Sequence, residues 1–437
     1  MQGKNRRGWT QKLFGSVAPR TTDNPCIWMH AVSVGEVNLL APLIARLQKE
    51  RPNLEVVISA TTETGFDLAN KKFPEHFVFF CPLDFTWAIR RVLKRLRPSL
   101  LALAELELWP NLIGCTRSAG IPVAVVNGRL SANSFKGYRR LIALVRPSFE
   151  KLSLVAASNQ TYADRFCELG CRPDKTIVTG SVKYDGIESD RNNQRTQALS
   201  ELAGIKPDDQ VFVAGSTQVE EDLIAASVYQ QLCKSMNLRL ILVPRHPERC
   251  RSLANQLNQM GIPTVFRSQL RDVGDRSTTG DESVSVVDLN RFTKANAVRP
   301  VLIVDVIGEL GAWWGCADAA YVGGSMGPRG GQNMIEPAAY GVPVSFGPNT
   351  ENFRDVVEEL LNHNAATVVQ DENSLREFLV QALGDRQWAA GMSHRCQQVV
   401  LSHAGASQKT VESLCKLIAD AQGEFGLESG AAATVAA

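Results

Sequence analysis

Acidic residues stand at two places where a predicted strand gives way to a predicted helix. Glu36 follows the apolar run 26–34, and Glu105 and Glu107 follow the run 99–104. A carboxylate in the position of Glu36 could act as a general base on a substrate hydroxyl, or could only stabilise the dipole of the helix it begins. Side chains two residues apart at a strand-to-helix turn need not share a direction. We favour Glu105 over Glu107 as the one that faces a ligand.

Basic residues follow other predicted strands. Lys183 comes shortly after a glycine that lets the chain turn, and its ammonium group could meet a phosphate or a carboxylate, although a lone lysine usually faces solvent. Arg245 and His246 close the run 238–243 between two prolines. A guanidinium group can bind phosphate with two parallel hydrogen bonds, and the imidazole can add a donor. This segment therefore predicts a phosphate contact.

The richest candidate is the segment 323–336, whose first nine residues include five glycines. Glycines allow backbone N–H groups, such as those of Gly324 and Ser325, to approach an anion at the start of a helix predicted from about Asn333. Glu336, one turn into that helix, could accept hydrogen bonds from ribose hydroxyls. The alternative interpretation is a flexible surface loop.

The elements that must position these residues alternate from end to end between short β-rich runs and amphipathic stretches, which is typical of α/β folds with parallel sheets. The predicted strands are 26–34, 54–60, 77–80, 99–104, 122–126, 152–157 and 176–178 in the first half, and 211–214, 238–243, 264–266, 301–304, 319–322, 342–346 and 366–369 in the second. We predict two Rossmann-like domains, 1–190 and 191–437, with the last helices able to pack back on the first. The polar stretch 268–299 lacks periodicity, and we expect a mobile insertion there.

Composition and missing motifs exclude several classes. The chain has 437 residues with 44% hydrophobic and 21% charged residues, as ordinary globular proteins do. It contains no run of ~18 apolar residues, no secretory signal, no G-x-G-x-x-G and no P-loop motif. The ten cysteines form no C-x-x-C pair, so we expect reduced thiols and no metal site. By fold analogy, two α/β domains without these motifs favour sugar-nucleotide enzymes.

Charge is divided unevenly along the chain. Residues 1–190 carry 26 Lys and Arg against 17 Asp and Glu, whereas residues 191–437 carry 21 against 28. An excess of cations suits an anionic partner such as a phosphorylated substrate, an acidic lipid or a nucleic acid. Trp9, Leu13 and Phe14 lie within the basic N-terminal segment, and they favour an interfacial membrane contact over nucleic acid.

Taken together, four motifs resemble the 3-deoxy-D-manno-octulosonic acid (Kdo) transferases of lipopolysaccharide synthesis. They are Ser33–Glu36, Glu105–Asn111, Pro244–Arg249 and Gly323–Glu336. Further matches, in the same order as in the family, are 127–131, 180–183 and 347–353. The likeness spans about residues 8–400, and the ordered set is far more specific than any one motif.

The resemblance implies a GT-B fold, in which two Rossmann-like domains face an inter-domain cleft. It also implies a reaction: Kdo moves with inversion from CMP-Kdo to a lipid A precursor at the cytoplasmic face of the inner membrane, with no metal and no cofactor. Carried over by position, Glu36 is the general base, and Glu105 and Lys183 stabilise the transition state. The nucleotide contacts that the resemblance implies are Pro244, Arg245, Ile307, Gly308, Glu309, Asn333, Met334, Ile335 and Glu336.

One departure from the family concerns the N-terminus. Family members usually begin with an apolar anchor helix before the segment that matches residues 8–15, and this sequence has none. We therefore expect either peripheral attachment through basic and aromatic residues or a natural start further upstream. Two alternatives stay open: another GT-B enzyme, such as a lipid A disaccharide synthase or a sugar-nucleotide epimerase, and a non-catalytic lipid-binding protein at the membrane surface.

Overall fold

Two parallel β-sheets, one in each half of the chain, organise the protein. The computed structural model describes residues 7–106, 108–270 and 298–433, with side chains up to residue 421. Most of the predicted insertion 268–299 lies outside the described residues. The chain divides into two units, Met1–Gly186 with His403–Ala437, and Ile187–Ser402.

Within the described residues each sheet has seven strands, and every pair of neighbours is parallel. In the first unit the order is β3-β2-β1-β4-β5-β6-β7, and in the second it is β10-β11-β9-β8-β12-β13-β14. The strands are β1 Cys26–Ala31, β2 Glu55–Ala60, β3 Phe77–Phe80, β4 Leu100–Ala104, β5 Val123–Gly128, β6 Leu154–Ala157, β7 Thr176–Val178, β8 Gln210–Thr217, β9 Leu238–Pro244, β10 Thr264–Phe266, β11 Val301–Ile303, β12 Ala319–Val322, β13 Val344–Phe346 and β14 Thr367–Val368. The α/β prediction is therefore confirmed.

Helices connect the strands, as parallel pairing requires. They are α1 Trp9–Phe14, α2 Val34–Glu50, α3 Glu63–Lys72, α4 Thr86–Leu96, α5 Pro110–Ser118, α6 Ala132–Arg140, α7 Ile142–Glu150, α8 Gln160–Glu168, α9 Gln194–Leu202, α10 Val219–Leu232, α11 Cys250–Gln259, α12 Leu310–Gly315, α13 Ile335–Ala339, α14 Arg354–Asn362, α15 Glu372–Gly384, α16 Arg386–Ser402 and α17 Ala406–Ala433. Short 3-10 helices cover 173–175, 182–184, 247–249, 267–269 and 351–353. In the described part of the chain, no helix is both long enough and apolar enough to span a bilayer.

Both faces of the first sheet are buried, which explains why its strands are continuous apolar runs rather than alternating ones. Trp28 and Phe79 pack in the layer on one face. Ile27 and Met29 belong to the core on the other face, where α2 packs against α17. The C-terminal helix therefore completes the core of the first unit.

Each sheet has a point where the strand order reverses. In the first unit it lies between β1 and β4, and in the second between β8 and β12. Ligands of open α/β sheets bind outside the carboxyl ends of the strands at such a point. This topology directs attention to the residues that follow β1, β4, β8 and β12.

Candidate active site

Glu36 lies where β1 passes into α2, at the reversal point of the first sheet. Ser33 caps the helix, and its hydroxyl donates to the Glu36 carboxylate over 2.9 Å, while the Val32 N–H donates to the other oxygen over 2.8 Å. The Glu36 N–H donates in return to the Ser33 hydroxyl over 3.4 Å, so the arrangement is a variant of the capping box in which the backbone donor to the glutamate is Val32 instead of the cap residue. Only 9% of Glu36 is exposed. The cap also corrects one boundary: the first strand ends at Ala31 rather than at Val34, because Ser33 already serves the helix.

Glu105 directly follows β4, the neighbour of β1. Its φ of 55° is left-handed, a conformation that glycine usually adopts, and its N–H donates to the Val126 carbonyl over 2.9 Å. Asn127, near the end of the next strand, also has a positive φ, of 51°. Left-handed non-glycine residues cost on the order of 1–3 kcal/mol and cluster at functional sites. The backbone here is held in a strained shape that directs the Glu105 side chain.

Lys183 lies on the 3-10 helix 182–184 and reaches the same carboxylate. Its Nζ is 3.5 Å from Glu105 Oε1, and Arg129, which follows β5, donates to that oxygen over 2.6 Å. Arg129 belongs to the motif 127–131, and the sequence alone indicates no role for it. Its place just after a predicted strand was the signal that could have marked it.

The electrostatics join Glu36 to this group. Burial, followed by the positive charge of Arg129, lowers the pKa of Lys183, while the charges of Glu105 and Glu36 act in the opposite direction. Helix α2, which carries Glu36, also packs against the 3-10 helix that carries Lys183. The three residues that the sequence indicated as catalytic therefore lie in one region of the first unit. We call Glu36, Glu105, Arg129 and Lys183 the charged cluster.

Hydrogen bonds to residues far away in the sequence fix the turn that carries Lys183. The Val182 N–H donates to Asn127 Oδ1 over 2.9 Å, and the Ser181 N–H donates to Nδ1 of His403 over 3.0 Å. The His403 ring also stacks on Tyr184, with ring centroids 4.2 Å apart. Sequence reasoning missed His403, since a partner 222 positions from Ser181 leaves no local pattern.

In the second unit, Arg245 follows β9 at the carboxyl edge of the sheet, directly after the buried Pro244. The Arg245 backbone N–H donates to Thr217 at the end of β8 over 3.1 Å. Its exposed guanidinium has no hydrogen-bond or ion-pair partner among the described residues. His246 Nδ1 lies 3.4 Å from the Glu248 carboxylate. Arg245 is thus placed to meet an anion.

The glycine-rich loop after β12 contains an internal acceptor that the sequence did not predict. The N–H groups of Gly324, Ser325 and Met326 donate to the buried carboxylate of Glu221 over 2.7, 2.9 and 2.9 Å. These N–H groups already have an acceptor, so a donor anion would have to compete with Glu221 for them, and nucleotide binding by Gly324 and Ser325 stays a prediction. The acceptor lies 103 positions from Gly324, beyond the reach of motif reasoning.

The segment 333–336 enters its helix slightly later than predicted. Helix α13 begins at Ile335 rather than near Asn333, and the side chains of Met334 and Ile335 are buried in the core. These two residues can offer a ligand only their backbone. The Asn333 amide donates to Glu336 over 3.0 Å, and burial raises the pKa of the Glu336 carboxyl.

The remaining predicted nucleotide contacts lie between β11 and α12. Ile307 is 83% exposed, and the Gly308 carbonyl accepts from Arg195 over 2.5 Å. The Glu309 carboxylate forms a two-pronged pair with Arg267, over 2.9 and 3.0 Å. The turn at Ile307 and Gly308 is therefore exposed, whereas the Glu309 carboxylate is already paired.

The thiols and the metal-ligating side chains form no centre in the described part of the chain. All ten cysteines are free, and within the described residues no three His, Cys, Asp or Glu side chains are grouped to hold a metal ion. Burial raises the pKa of Cys250 to about 11 and of Cys396 to about 12, which keeps these thiols protonated at neutral pH.

Comparison with known proteins identifies the family. Residues 4–186 match the family model of the 3-deoxy-D-manno-octulosonic-acid transferases (kdotransferases). A 3-deoxy-D-manno-octulosonic acid transferase of Haemophilus influenzae is 32% identical over 391 residues, which cover 89% of this chain and 86% of that protein. The chain belongs to the Kdo transferase family. Its members are glycosyltransferases, as the sequence resemblance implied.

Two further known proteins support the family and the fold. The transferase of Bordetella pertussis is 31% identical over 92% of this chain and 89% of its own length. A solved glycosyltransferase of Rickettsia africae superposes with a TM-score of 0.54 over 91% of this chain and 99% of its own, at 12% identity. At that identity the likeness concerns the fold alone. The fold is GT-B.

Proposed function

We propose that this protein transfers Kdo from CMP-Kdo to a lipid A precursor with inversion at the anomeric carbon. The observation that carries the proposal is the charged cluster, in which Lys183 and Arg129 share one oxygen of the Glu105 carboxylate beside Glu36. Family membership supports the donor and the acceptor class. Cations and carboxylates in one small region suit a reaction in which positive charge grows on the sugar and a proton leaves the acceptor.

The proposed step has a simple balance. A hydroxyl oxygen of the acceptor attacks the anomeric carbon of Kdo, on the side opposite the nucleotide, and the bond from that carbon to the phosphate oxygen breaks. The acceptor proton passes to the Glu36 carboxylate, and CMP leaves with the electron pair. Glu105 stabilises the oxocarbenium character of the sugar, and Lys183 and Arg129 hold Glu105 in place.

The second unit supplies the donor contacts in this proposal. Arg245, with its exposed guanidinium, takes the phosphate of CMP, since an arginine fork matches phosphate geometry. The exposed turn at Ile307 and Gly308, and the segment from Asn333 to Glu336, contact the nucleoside. The first unit binds the phosphorylated lipid, in keeping with its excess of basic residues.

We further propose that the protein works at the cytoplasmic face of the inner membrane, held peripherally by its first unit. Four exposed aromatic side chains support this: Trp9, Phe14, Phe85 and Trp87. We call them the aromatic patch. Helix α1 packs against α4, Phe85 stacks on Trp87 with ring centroids 4.5 Å apart, and Arg90, Arg91 and Lys94 follow along α4. Rings beside cations suit the interface of an acidic bilayer.

The test is CMP release by the purified chain, given freshly generated CMP-Kdo and a tetra-acylated lipid A precursor in detergent. We expect product only when both substrates are present. Turnover of a UDP-sugar instead would indicate another GT-B enzyme and contradict the proposal. Binding of CMP and lipid without turnover would indicate the non-catalytic lipid-binding alternative.

A further inference from the structure

A buried carboxylate organises the glycine-rich loop of the second unit. Glu221 is only 2% exposed and lies in the first turn of α10. One of its oxygens accepts from the Tyr321 hydroxyl over 2.8 Å and from the N–H groups of Ser325 and Met326, both over 2.9 Å. The other accepts from the N–H groups of Gln218 over 2.8 Å and Gly324 over 2.7 Å. Five donors therefore converge on one side chain.

No described lysine or arginine forms an ion pair with Glu221. Its charge is stabilised by N–H and O–H dipoles alone, in the way that a backbone nest binds an anion. The carboxylate thus occupies a position that a phosphate would otherwise find attractive. A neutral replacement loses the charge that these donors were arranged to receive.

Further hydrogen bonds, which do not involve Glu221, also hold the glycine-rich loop. The Gly331 N–H donates to the Gly324 carbonyl over 2.7 Å, and the Asn349 N–H donates to the Ser325 carbonyl over 2.8 Å. The Gly347 N–H donates to the Ser325 hydroxyl over 2.7 Å. The first bond connects the residues held by Glu221 to Gly331, two residues before the proposed nucleotide contacts begin at Asn333, and the other two fix Ser325 against the segment that follows β13.

We infer that Glu221 is a positioning residue for the donor site: its carboxylate substitutes for an anion inside the glycine-rich loop and fixes the loop in the shape that presents residues 333–336 to the nucleotide. This inference rests on the proposed function, because it names the site that Glu221 shapes. It follows that the donor's phosphate is bound outside the nest formed by residues 324–326, and Arg245 is the available partner.

Glu221→Gln tests the inference, and Glu220→Gln is the matched control, because Glu220 is an exposed neighbour that forms no hydrogen bond or ion pair with the loop among the described residues. The glutamine amide at this position has one acceptor oxygen instead of two, and its NH2 group would lie against the N–H or O–H groups that donate to the glutamate. We expect the Kd for CMP, measured by calorimetry, and the KM for CMP-Kdo to rise roughly tenfold or more, the effect of a lost hydrogen bond to a charged group. The value of kcat should fall less than KM rises. Glu220→Gln should leave all three unchanged.

Amide hydrogen exchange gives a second readout that does not depend on CMP. In Glu221→Gln the amides of residues 324–326 should exchange faster, while those of β12 keep their protection. A folded Glu221→Gln protein with the wild-type Kd for CMP would overturn the inference and leave Glu221 as a helix cap. So would unchanged exchange at residues 324–326.

Two further outcomes separate this inference from the proposed function. If the wild type binds no CMP, the proposed function fails, and loop ordering by Glu221 stands or falls on the exchange measurement alone. If Glu221→Gln does not fold, Tyr321→Phe takes its place, since it removes one of the five donors and keeps the charge. It should weaken CMP binding in the same direction and by less, and an unchanged Kd would overturn the inference.

Discussion

At the scale of single residues, the sequence leaves two roles open for Glu36: a general base, or a residue that only stabilises the start of its helix. The structure is compatible with both roles together. The Glu36 carboxylate accepts from the Ser33 hydroxyl and from the Val32 N–H, so it supports the cap of α2, and its charge acts on Lys183, whose 3-10 helix packs against α2. Capping and catalysis are compatible, because a fixed carboxylate needs no reorganisation before it takes a proton. The two tasks can be separated by substitution.

Glu36→Gln should lower kcat by ~10²–10⁴, the scale of a lost general base, while the Kd for CMP stays within about twofold. Ser33→Ala is the control, because it removes the cap hydroxyl and keeps the carboxylate. We expect it to lower the free energy of unfolding by about 1 kcal/mol and to retain most of the activity. If both variants lose activity equally, Glu36 matters only as a cap.

Arg129 sets the charge balance of the cluster. Burial and Arg129 together lower the pKa of Lys183, so the lysine loses its proton at a lower pH than an exposed one would. If turnover needs the ammonium form, activity falls as the pH rises through that pKa. Arg129→Gln removes the neighbouring cation, so the pKa of Lys183 should rise and the alkaline limb of kcat should move to higher pH.

The Arg129→Gln profile should also have a lower maximum, by roughly 10–100-fold, because Glu105 loses a hydrogen bond to a charged partner. Lys183→Met should remove the alkaline limb altogether, which assigns it to this lysine. An Arg129→Gln profile that is merely scaled down, with its limb unmoved, would show that Arg129 does not act through Lys183.

Arg245 is the residue in the second unit whose role is most directly measurable. Its guanidinium has no partner among the described residues, so its removal should disturb no internal contact. Arg245→Ala should raise the Kd for CMP at least tenfold, as the loss of a charged phosphate contact does. Arg251→Ala, an exposed arginine on α11, is the control for net charge. Equal CMP affinities in calorimetry would remove Arg245 from the donor site.

At the scale of elements, the sequence predicted the strands well because both faces of each sheet are buried. The runs 77–80, 264–266 and 319–322 coincide with the observed strands, since an apolar run bounded by turn residues has few other solutions. The ends were less predictable. The first strand stops three residues early, at Ala31, because a serine that looks like part of the run caps the next helix.

The candidate site could be predicted in part, because some of its residues follow strands and others depend on tertiary contacts. Glu36, Glu105 and Lys183 follow strands, and parallel strands bring their carboxyl ends to one edge, so their proximity could be expected. The left-handed backbone of Glu105 could not, because glutamate carries no preference for it. Nor could the pairing of Glu221 with the glycine-rich loop or of His403 with Ser181, which depend on tertiary packing.

Gly323 shows how tightly the elements meet at the reversal point of the second sheet. A Cβ there would lie 2.5 Å from Thr217 Cα and 2.8 Å from the Ser216 carbonyl oxygen. Since both atoms belong to the backbone, Gly323→Ala should cost about 1–3 kcal/mol of unfolding free energy, visible as a lower Tm. Gly327→Ala, in the same loop with no atom within 4 Å of its Cβ, should change it by less than about 0.5 kcal/mol. Equal Tm values for the two variants would contradict this packing.

At the scale of the whole molecule, charge is divided between the two halves in a way that matches the proposed substrates. The basic half contains the charged cluster and the aromatic patch, and it is the half that would meet a phosphorylated lipid. In the proposed function the acidic half binds a soluble nucleotide, for which local cations such as Arg245 would suffice. Long-range electrostatic attraction would therefore draw the first unit to the membrane. In the second unit, short-range contacts would recognise the nucleotide.

The aromatic patch gives this division a direct test. Trp9 and Phe14, about half exposed, lie on α1, and each ring that enters a bilayer interface contributes on the order of 1–3 kcal/mol. The double variant Trp9→Ser/Phe14→Ser should therefore bind vesicles containing acidic phospholipid at least tenfold more weakly than the wild type in a sedimentation assay. Leu401→Ser, which removes a 67% exposed apolar side chain in the second unit, should bind as the wild type does.

Salt distinguishes the two contributions to that binding. Raising the ionic strength to about 1 M shortens the screening length to about 3 Å, so the attraction between the α4 cations and acidic lipid should weaken in both proteins. The difference between wild type and double variant should persist, because burial of the rings does not depend on screening. If the double variant binds as tightly as the wild type at low salt, the rings stay out of the bilayer and basic residues alone hold the protein at the surface.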